Sequence, residues 1–266
     1  MSNKAKIRED ALKLNIIDDA MFTKVAEDKA FCEELLRTIL MDNELIVLEN
    51  IPQAKIQNLQ GRSVILDAKC TLGNGKIAEV EVQSADNDDH QRRVRYNSSV
   101  LTANITDPGK HFKDVPDVIV IYISKFDIFN QNRTIYHVHR LIAETNTVIE
   151  NGLQEIYVNT VVDDESDIAA LMKMLAEDSF YDERFPATSK QKHIFKTTEG
   201  GINIMCDIIE RNRQEAAKEA AKEAAKATTI TYLKNLMKNT KLTAKQAMDL
   251  LDIPESEQAT YANALQ

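Results

Sequence analysis

Tryptophan is absent from this 266-residue sequence, and glycine (7) and proline (5) are scarce. Propellers and related repeat architectures depend on recurrent glycine turns and aromatic signatures, so that class loses support. Cysteine is nearly absent too. Cys32, Cys70 and Cys206 lie far apart and form no CxxC pair, which predicts reduced, mostly buried thiols rather than a disulfide framework or a zinc site. No run approaches 18 apolar residues, so no membrane span is expected. The N-terminal MSNKAKIREDALKL lacks the apolar core of a secretory signal, and the expected location is the cytoplasm. Basic excess is also missing, since the formal net charge is −9. A protein held to DNA by non-specific contacts needs a Lys or Arg at each phosphate, so any nucleic-acid surface here must be a local patch. There is no GxGxxG, Walker loop or GxSxG elbow, which removes support for nucleotide-dependent and serine-hydrolase chemistry.

What is present is the balance of a globular chain, 43% apolar and 28% charged. Apolar residues from Phe22 to Leu40 recur at spacings of three and four, predicting a helix over 16–40 with Asp18 or Asp19 at its start, ended by Pro52. A short strand at 54–60 and strong ones at 62–72 and 76–83 follow, the last two joined by the Gly73-Asn74-Gly75 turn as a β-hairpin. Residues 88–104 read as a helix. The near-continuous apolar run DVIVIYIS reads as a strand covered on both faces. Two further strands are expected at 133–140 and 153–162, then a helix at 166–177. This order predicts an α/β fold around a mixed sheet flanked by helices. The division expected is a domain over 1–200 and a helical tail over 201–266. In the tail an Ala-rich EAAK helix serves as a spacer, and a short helical pair at 242–264 follows, with Thr243 as a cap and Pro254 opening the second helix. The tail's simplest role is packing or self-association, which makes a homo-oligomer through the C-terminal helix an expectation.

The hairpin carries the chemistry. Alternate side chains on a strand share a face. On 76–83, Ile77, Glu79, Glu81 and Gln83 oppose Ala78, Val80 and Val82. On 62–72, Ile65, Asp67 and Lys69 oppose Val64, Leu66, Ala68 and Cys70. One polar surface can therefore gather Asp67, Lys69, Glu79, Glu81 and Gln83. Neighbouring carboxylates repel unless a cation joins them, and hard oxygen ligands suit Mg²⁺ or Mn²⁺. The same alternation describes any half-exposed strand, and the pattern alone favours that plainer reading. Beside the hairpin, Gln91-Arg92-Arg93-Val94-Arg95-Tyr96 is a compact basic cluster with an aromatic, suited to phosphate and base contact or to pairing with Asp86, Asp88 and Asp89. His137-Val138-His139 offers two imidazoles on one strand face without a third ligand, so cross-strand packing is expected there.

Several residues in order resemble one family. These are Asp19 and Phe22 in the first helix, Asp67, then Glu81-Val82-Gln83 after a glycine turn, Arg93-x-x-Tyr96, and the apolar strand ending in Asp127-x-Phe129. From about Asn15 to Phe129 the chain resembles the Rpn recombination-promoting nucleases, the PD-(D/E)XK nuclease family transposases. The resemblance implies a restriction-endonuclease-like fold and metal-dependent cleavage of DNA. It places the metal on Asp67 and Glu81 and puts Gln83 where the wider superfamily carries a lysine. Glutamine orients by hydrogen bonds but supplies no charge, so Lys69 is a candidate for the missing cation. Arg93 and Tyr96 become the DNA contacts. A first-helix carboxylate often joins such sites, and Glu27, Glu33 and Glu34 are the candidates.

The function expected is a Mg²⁺-dependent endodeoxyribonuclease associated with recombination or mobile elements. The alternative, favoured by the acidic balance and by Gln83, is a catalytically weak or inactive protein of the same fold that oligomerises through its tail.

Overall fold

The computed structural model describes residues 3–178 and 181–265, which form two compact units, Met1–Asp207 and Ile208–Gln266. The first unit opens with helices α1 (Asn3–Lys13), α2 (Asp19–Val25) and α3 (Lys29–Leu40) and strands β1 (Val47–Ile56), β2 (Val64–Leu72) and β3 (Ile77–Gln83). Helix α4 (His90–Ile105), a 3-10 turn (Phe112–Asp114) and β4 (Val118–Ser124) follow. Next come β5 (Ile135–Val138), a two-stranded ribbon of β6 (Leu141–Ile142) and β7 (Thr147–Val148), and β8 (Leu153–Asn159). Helices α5 (Asp167–Ala176) and α6 (Pro186–Thr197) lead into the long α7 (Glu199–Thr240), which continues into the second unit.

The six-stranded sheet has the order β1-β2-β3-β4-β8-β5. β1, β2 and β3 pair antiparallel, β3 with β4 and β4 with β8 pair parallel, and β5 returns antiparallel on β8. The mixed α/β sheet flanked by helices, with a long C-terminal helix, is the architecture expected from the sequence. Every residue of β4 is buried, as its apolar run requires of a central parallel strand. On one face, Val94 and Leu101 of α4 pack with Ile77, Val118, Val120 and Tyr122. On the other, Cys70 of β2 meets Cys32 of α3. The β2–β3 turn needs Gly75, whose φ is +84°.

The expected helix over 16–40 is interrupted. Asp28 leaves the helical path, and its Oδ1 accepts from the Ala30 amide at 2.9 Å, capping α3. The Asn50 side-chain amide donates to the Ala26 carbonyl at 2.7 Å, satisfying a group the end of α2 leaves open. β1 begins at Val47, earlier than the sequence predicts, and runs through Pro52. It is an edge strand, where proline is tolerated.

Glu34 has a structural duty. Its two carboxylate oxygens accept from the amides of Ala187 and Thr188, both at 2.8 Å, and from Thr188 Oγ1 at 2.7 Å. Helix α6 has no side-chain cap of its own, so α3 supplies one across the packing interface. Glu34→Ala is expected to cost about 1–3 kcal/mol, because buried donors lose their acceptor. The thermal midpoint should fall by about 2–4 °C for each kcal/mol. A calorimetric midpoint unchanged in the variant refutes this role.

In the second unit, α8 (Ala244–Leu250) and α9 (Glu255–Leu265) build a small core of Leu233, Ala247 and Met248 with Leu236, Met237, Ile253 and Tyr261. Thr243 caps α8 in a reciprocal box with Gln246. Among the described residues no helix is long and apolar enough to cross a membrane.

Candidate metal and nucleic-acid site

The ladder between β2 and β3 ends at Ala68–Val80. Beyond it, the Val82 amide donates to Asp67 Oδ2 at 2.8 Å, so a side chain replaces the strand partner. That exchange holds the Asp67 carboxylate at the open end of the hairpin. Asp67 and Glu81 line one cavity of about 350 Å³ with Asp19, Gln53, Gln83 and Arg93. Gln53 Nε2 lies 3.5 Å from Asp67 Oδ1 and 3.0 Å from Thr23 Oγ1, tying β1 and α2 to the same spot. Asn97 of α4 donates to Glu81 Oε1 at 3.3 Å.

The carboxylates are held away from their ordinary ionisation. Burial, then the charge of Asp19, pushes Asp67 up to about 7 against the pull of Val82 and Arg93. Glu81, 6% exposed, is raised well above the usual range by burial and by Asp67 and Glu79, and Arg93 opposes this. Burial also raises Asp19. Acids placed this way repel as anions in a poorly solvated place, which is the setting a divalent cation relieves. Among the described residues no cluster of three or more His, Cys, Asp or Glu is arranged to hold a metal ion. Mg²⁺ does not need such a cage, since it typically takes one or two protein carboxylates and keeps several waters. Asp67 and Glu81, opening onto a polar cavity, fit that donor set.

Other expected residues fall differently. Glu79 is not on an open polar surface: it is fully buried, because α4 packs over its face of β3. Burial lifts it to about 7, and Asn97 and Glu81 are its polar neighbours. Neither of its oxygens makes a hydrogen bond of good geometry. Lys69 stands opposite Glu79 in the ladder and Ile51 on β1, and it does not line the cavity. Both ends of the Gln83 amide are engaged, Nε2 donating to the Ala85 carbonyl at 2.7 Å and Oε1 lying 3.4 Å from Arg93. Arg93 also reaches both Asp89 oxygens at 3.4 Å. The Tyr96 hydroxyl donates to the Arg62 carbonyl and accepts from Asn58 Nδ2 at 3.1 Å.

The three first-helix acids singled out from the sequence lie elsewhere. Glu27 pairs with Lys24, Glu33 with Arg37 and the Val47 amide, and Glu34 caps α6. The acid that does reach the cavity is Asp19, at the start of α2, a residue the sequence marks as a helix-start candidate and through the family resemblance, but not as a metal ligand. Gln53, Asn97 and His90 carried no sequence signal. His90 is buried and bridges Tyr122 at 2.9 Å and Asp86 at 2.9 Å, which fixes the start of α4 against β4.

The sequence model of the PD-(D/E)XK nuclease family transposase matches residues 20–227, most of the chain. No curated protein and no solved structure matches it.

Proposed function

Because the chain belongs to the PD-(D/E)XK nuclease family transposases, we propose that it is a Mg²⁺- or Mn²⁺-dependent endodeoxyribonuclease acting in DNA recombination or transfer of mobile elements. The observation that carries this reading is the shared cavity in which Asp67 and Glu81 face each other's charge. When bound there, a divalent ion supplies an activated water and neutralises charge growing on the scissile phosphate. The protein's own part is positional. Val82 and Gln53 fix Asp67, and Asn97 orients Glu81. Asp19, on α2, lines the same cavity. Arg93 meets the substrate phosphate, steered by Gln83, and the amide of Gln83 keeps one N–H for the water or phosphate. Tyr96 shapes the adjoining cavity.

The test is nicking of supercoiled plasmid by the purified full chain. Mg²⁺ or Mn²⁺ at millimolar concentration is expected to give open circles, and EDTA to stop the reaction. Calorimetric titration with Mn²⁺ is an independent check. A chain that binds no divalent ion and leaves the plasmid closed is instead the non-catalytic scaffold, a reading favoured by the absence of a lysine at Gln83. Self-association through the tail belongs to the proposal as well, since Leu250 and Leu251 remain exposed on the second unit. Light scattering of the full chain reads it directly.

A further inference from the structure

Next to the carboxylate cavity lies a second one of about 610 Å³, lined by Arg62, Ser63, Glu81, Arg92, Arg93 and Tyr96 among others. The two share Ile65, Glu81 and Arg93. Three arginines in one cavity stand out in a chain of net charge −9. Arg62 and Arg92 are exposed and form no ion pair with any described residue, whereas Arg93 is paired with Asp89. Unpaired guanidinium groups lining a concave surface attract phosphate and can grip it in bidentate fashion.

Arg62 comes from the loop between β1 and β2, residues 57–63, and that loop is pinned. Tyr96 of α4 donates to the Arg62 carbonyl and accepts from Asn58. The Asn58 amide donates to Ser63 Oγ at 3.1 Å, and the Gln60 amide to Asn58 Oδ1 at 3.1 Å. Asn104, lower on α4, donates to the Gln57 carbonyl at 3.1 Å. Gly61 sits so close that an added Cβ would meet Asn58 Nδ2 at 3.1 Å and the Tyr96 hydroxyl at 3.5 Å. A loop tied this firmly still carries Leu59 at its tip, 95% exposed. Leucine gains nothing from water there, and nothing in its own unit covers it.

We propose that this loop is a DNA clamp, in which Arg62 and Arg92 seat backbone phosphates beside the metal site while Leu59 enters the groove as an apolar wedge between base pairs. The inference rests on the nuclease reading and extends it to the substrate: a duplex opened at the step to be cut. Wedges of this kind unstack a base step and bend the helix, which brings more backbone into contact. The clamp is preorganised by α4, so little ordering opposes binding. It also gives Tyr96 a role. Its hydroxyl positions the loop and does not touch DNA.

The experiment is binding of the full chain to a duplex carrying 2-aminopurine, in EDTA so that no strand is cut. Anisotropy reads affinity and 2-aminopurine fluorescence reads unstacking. Arg62→Ala and Arg92→Ala are each expected to weaken binding about tenfold and to lower the salt slope by about one unit. Leu59→Ala should keep affinity within about threefold and lose the fluorescence rise. Both loop positions are exposed, so an unchanged melting temperature certifies the fold. Variants that bind and unstack like the parent overturn the clamp and leave the nuclease reading standing. A parent chain that binds no duplex and nicks no plasmid removes both.

Discussion

Glu81→Gln is expected to abolish metal-dependent nicking and to leave the protein as stable as before, or more so. The loss in rate should be about a thousandfold or greater, because one of the two acids proposed to hold the ion becomes a neutral amide. The gain in stability follows from the same burial. Glu81 is nearly inaccessible and is opposed by the charges of Asp67 and Glu79, with Arg93 the charge that relieves it. A neutral isostere can keep the contact from Asn97 without the buried charge, and removing like-charge repulsion of this kind returns about 1 kcal/mol. Sites that hold acids together for a metal are expected to be strained in its absence, so activity and stability move in opposite directions. The two readouts are plasmid nicking and a thermal midpoint in EDTA. Undiminished nicking from a preparation proven free of contaminating nuclease ends the assignment. A sharp fall in the midpoint shows instead that Glu81 is part of the structural core. Asp67→Asn should lose nicking too, but with less gain in stability, since Asp67 already has the Val82 amide as a partner.

The legible parts of this site were those written in strand alternation. The hairpin, its glycine turn and the buried β4 follow from period-two patterns and one apolar run, and the parallel pairing of β3 with β4 carries Glu81 beside Tyr122 and Gln83 beside Ser124. Exposure was not legible. Glu79 alternates with apolar neighbours as a surface residue does, yet α4 closes over that face and buries it. The sequence within one strand holds no record of what a helix a dozen residues later will cover. Helix ends were hidden for a related reason. The break at Asp28 depends on Asn50, contributed by a strand twenty-two residues downstream. α1 escaped notice because, among its described side chains, Ile7 and Ala11 alone are buried, amid many charges. The first-helix acids show the same limit from the other side. Glu27, Glu33 and Glu34 have the right chemistry, but Glu27 falls in the turn between α2 and α3 and pairs with Lys24, and helical phase turns Glu33 towards Arg37 and Glu34 towards α6. Asp19 reaches the cavity because it begins a helix that ends its approach there.

Arg93→Ala is expected to lower the nicking rate about a hundredfold while metal affinity changes little. Arg93 is the cation whose charge acts on both Asp67 and Glu81, and it lines both cavities. A preorganised cation facing developing negative charge contributes on the order of 10²–10³ in rate. Lysine in its place restores the charge without the planar fork, so Arg93→Lys should recover about tenfold of the loss. The instructive variant is Gln83→Ala. If Gln83 works by holding Arg93, as the 3.4 Å contact between them indicates, its loss costs about tenfold and the double variant is no slower than Arg93→Ala alone. If Gln83 orients the attacking water by itself, the two losses multiply. The cycle therefore decides whether the residue standing at the lysine position still acts on the substrate or has passed the cationic duty to the helix beside it. Multiplicative losses overturn the second account. An Arg93→Ala enzyme as fast as the parent overturns the duty of Arg93 itself.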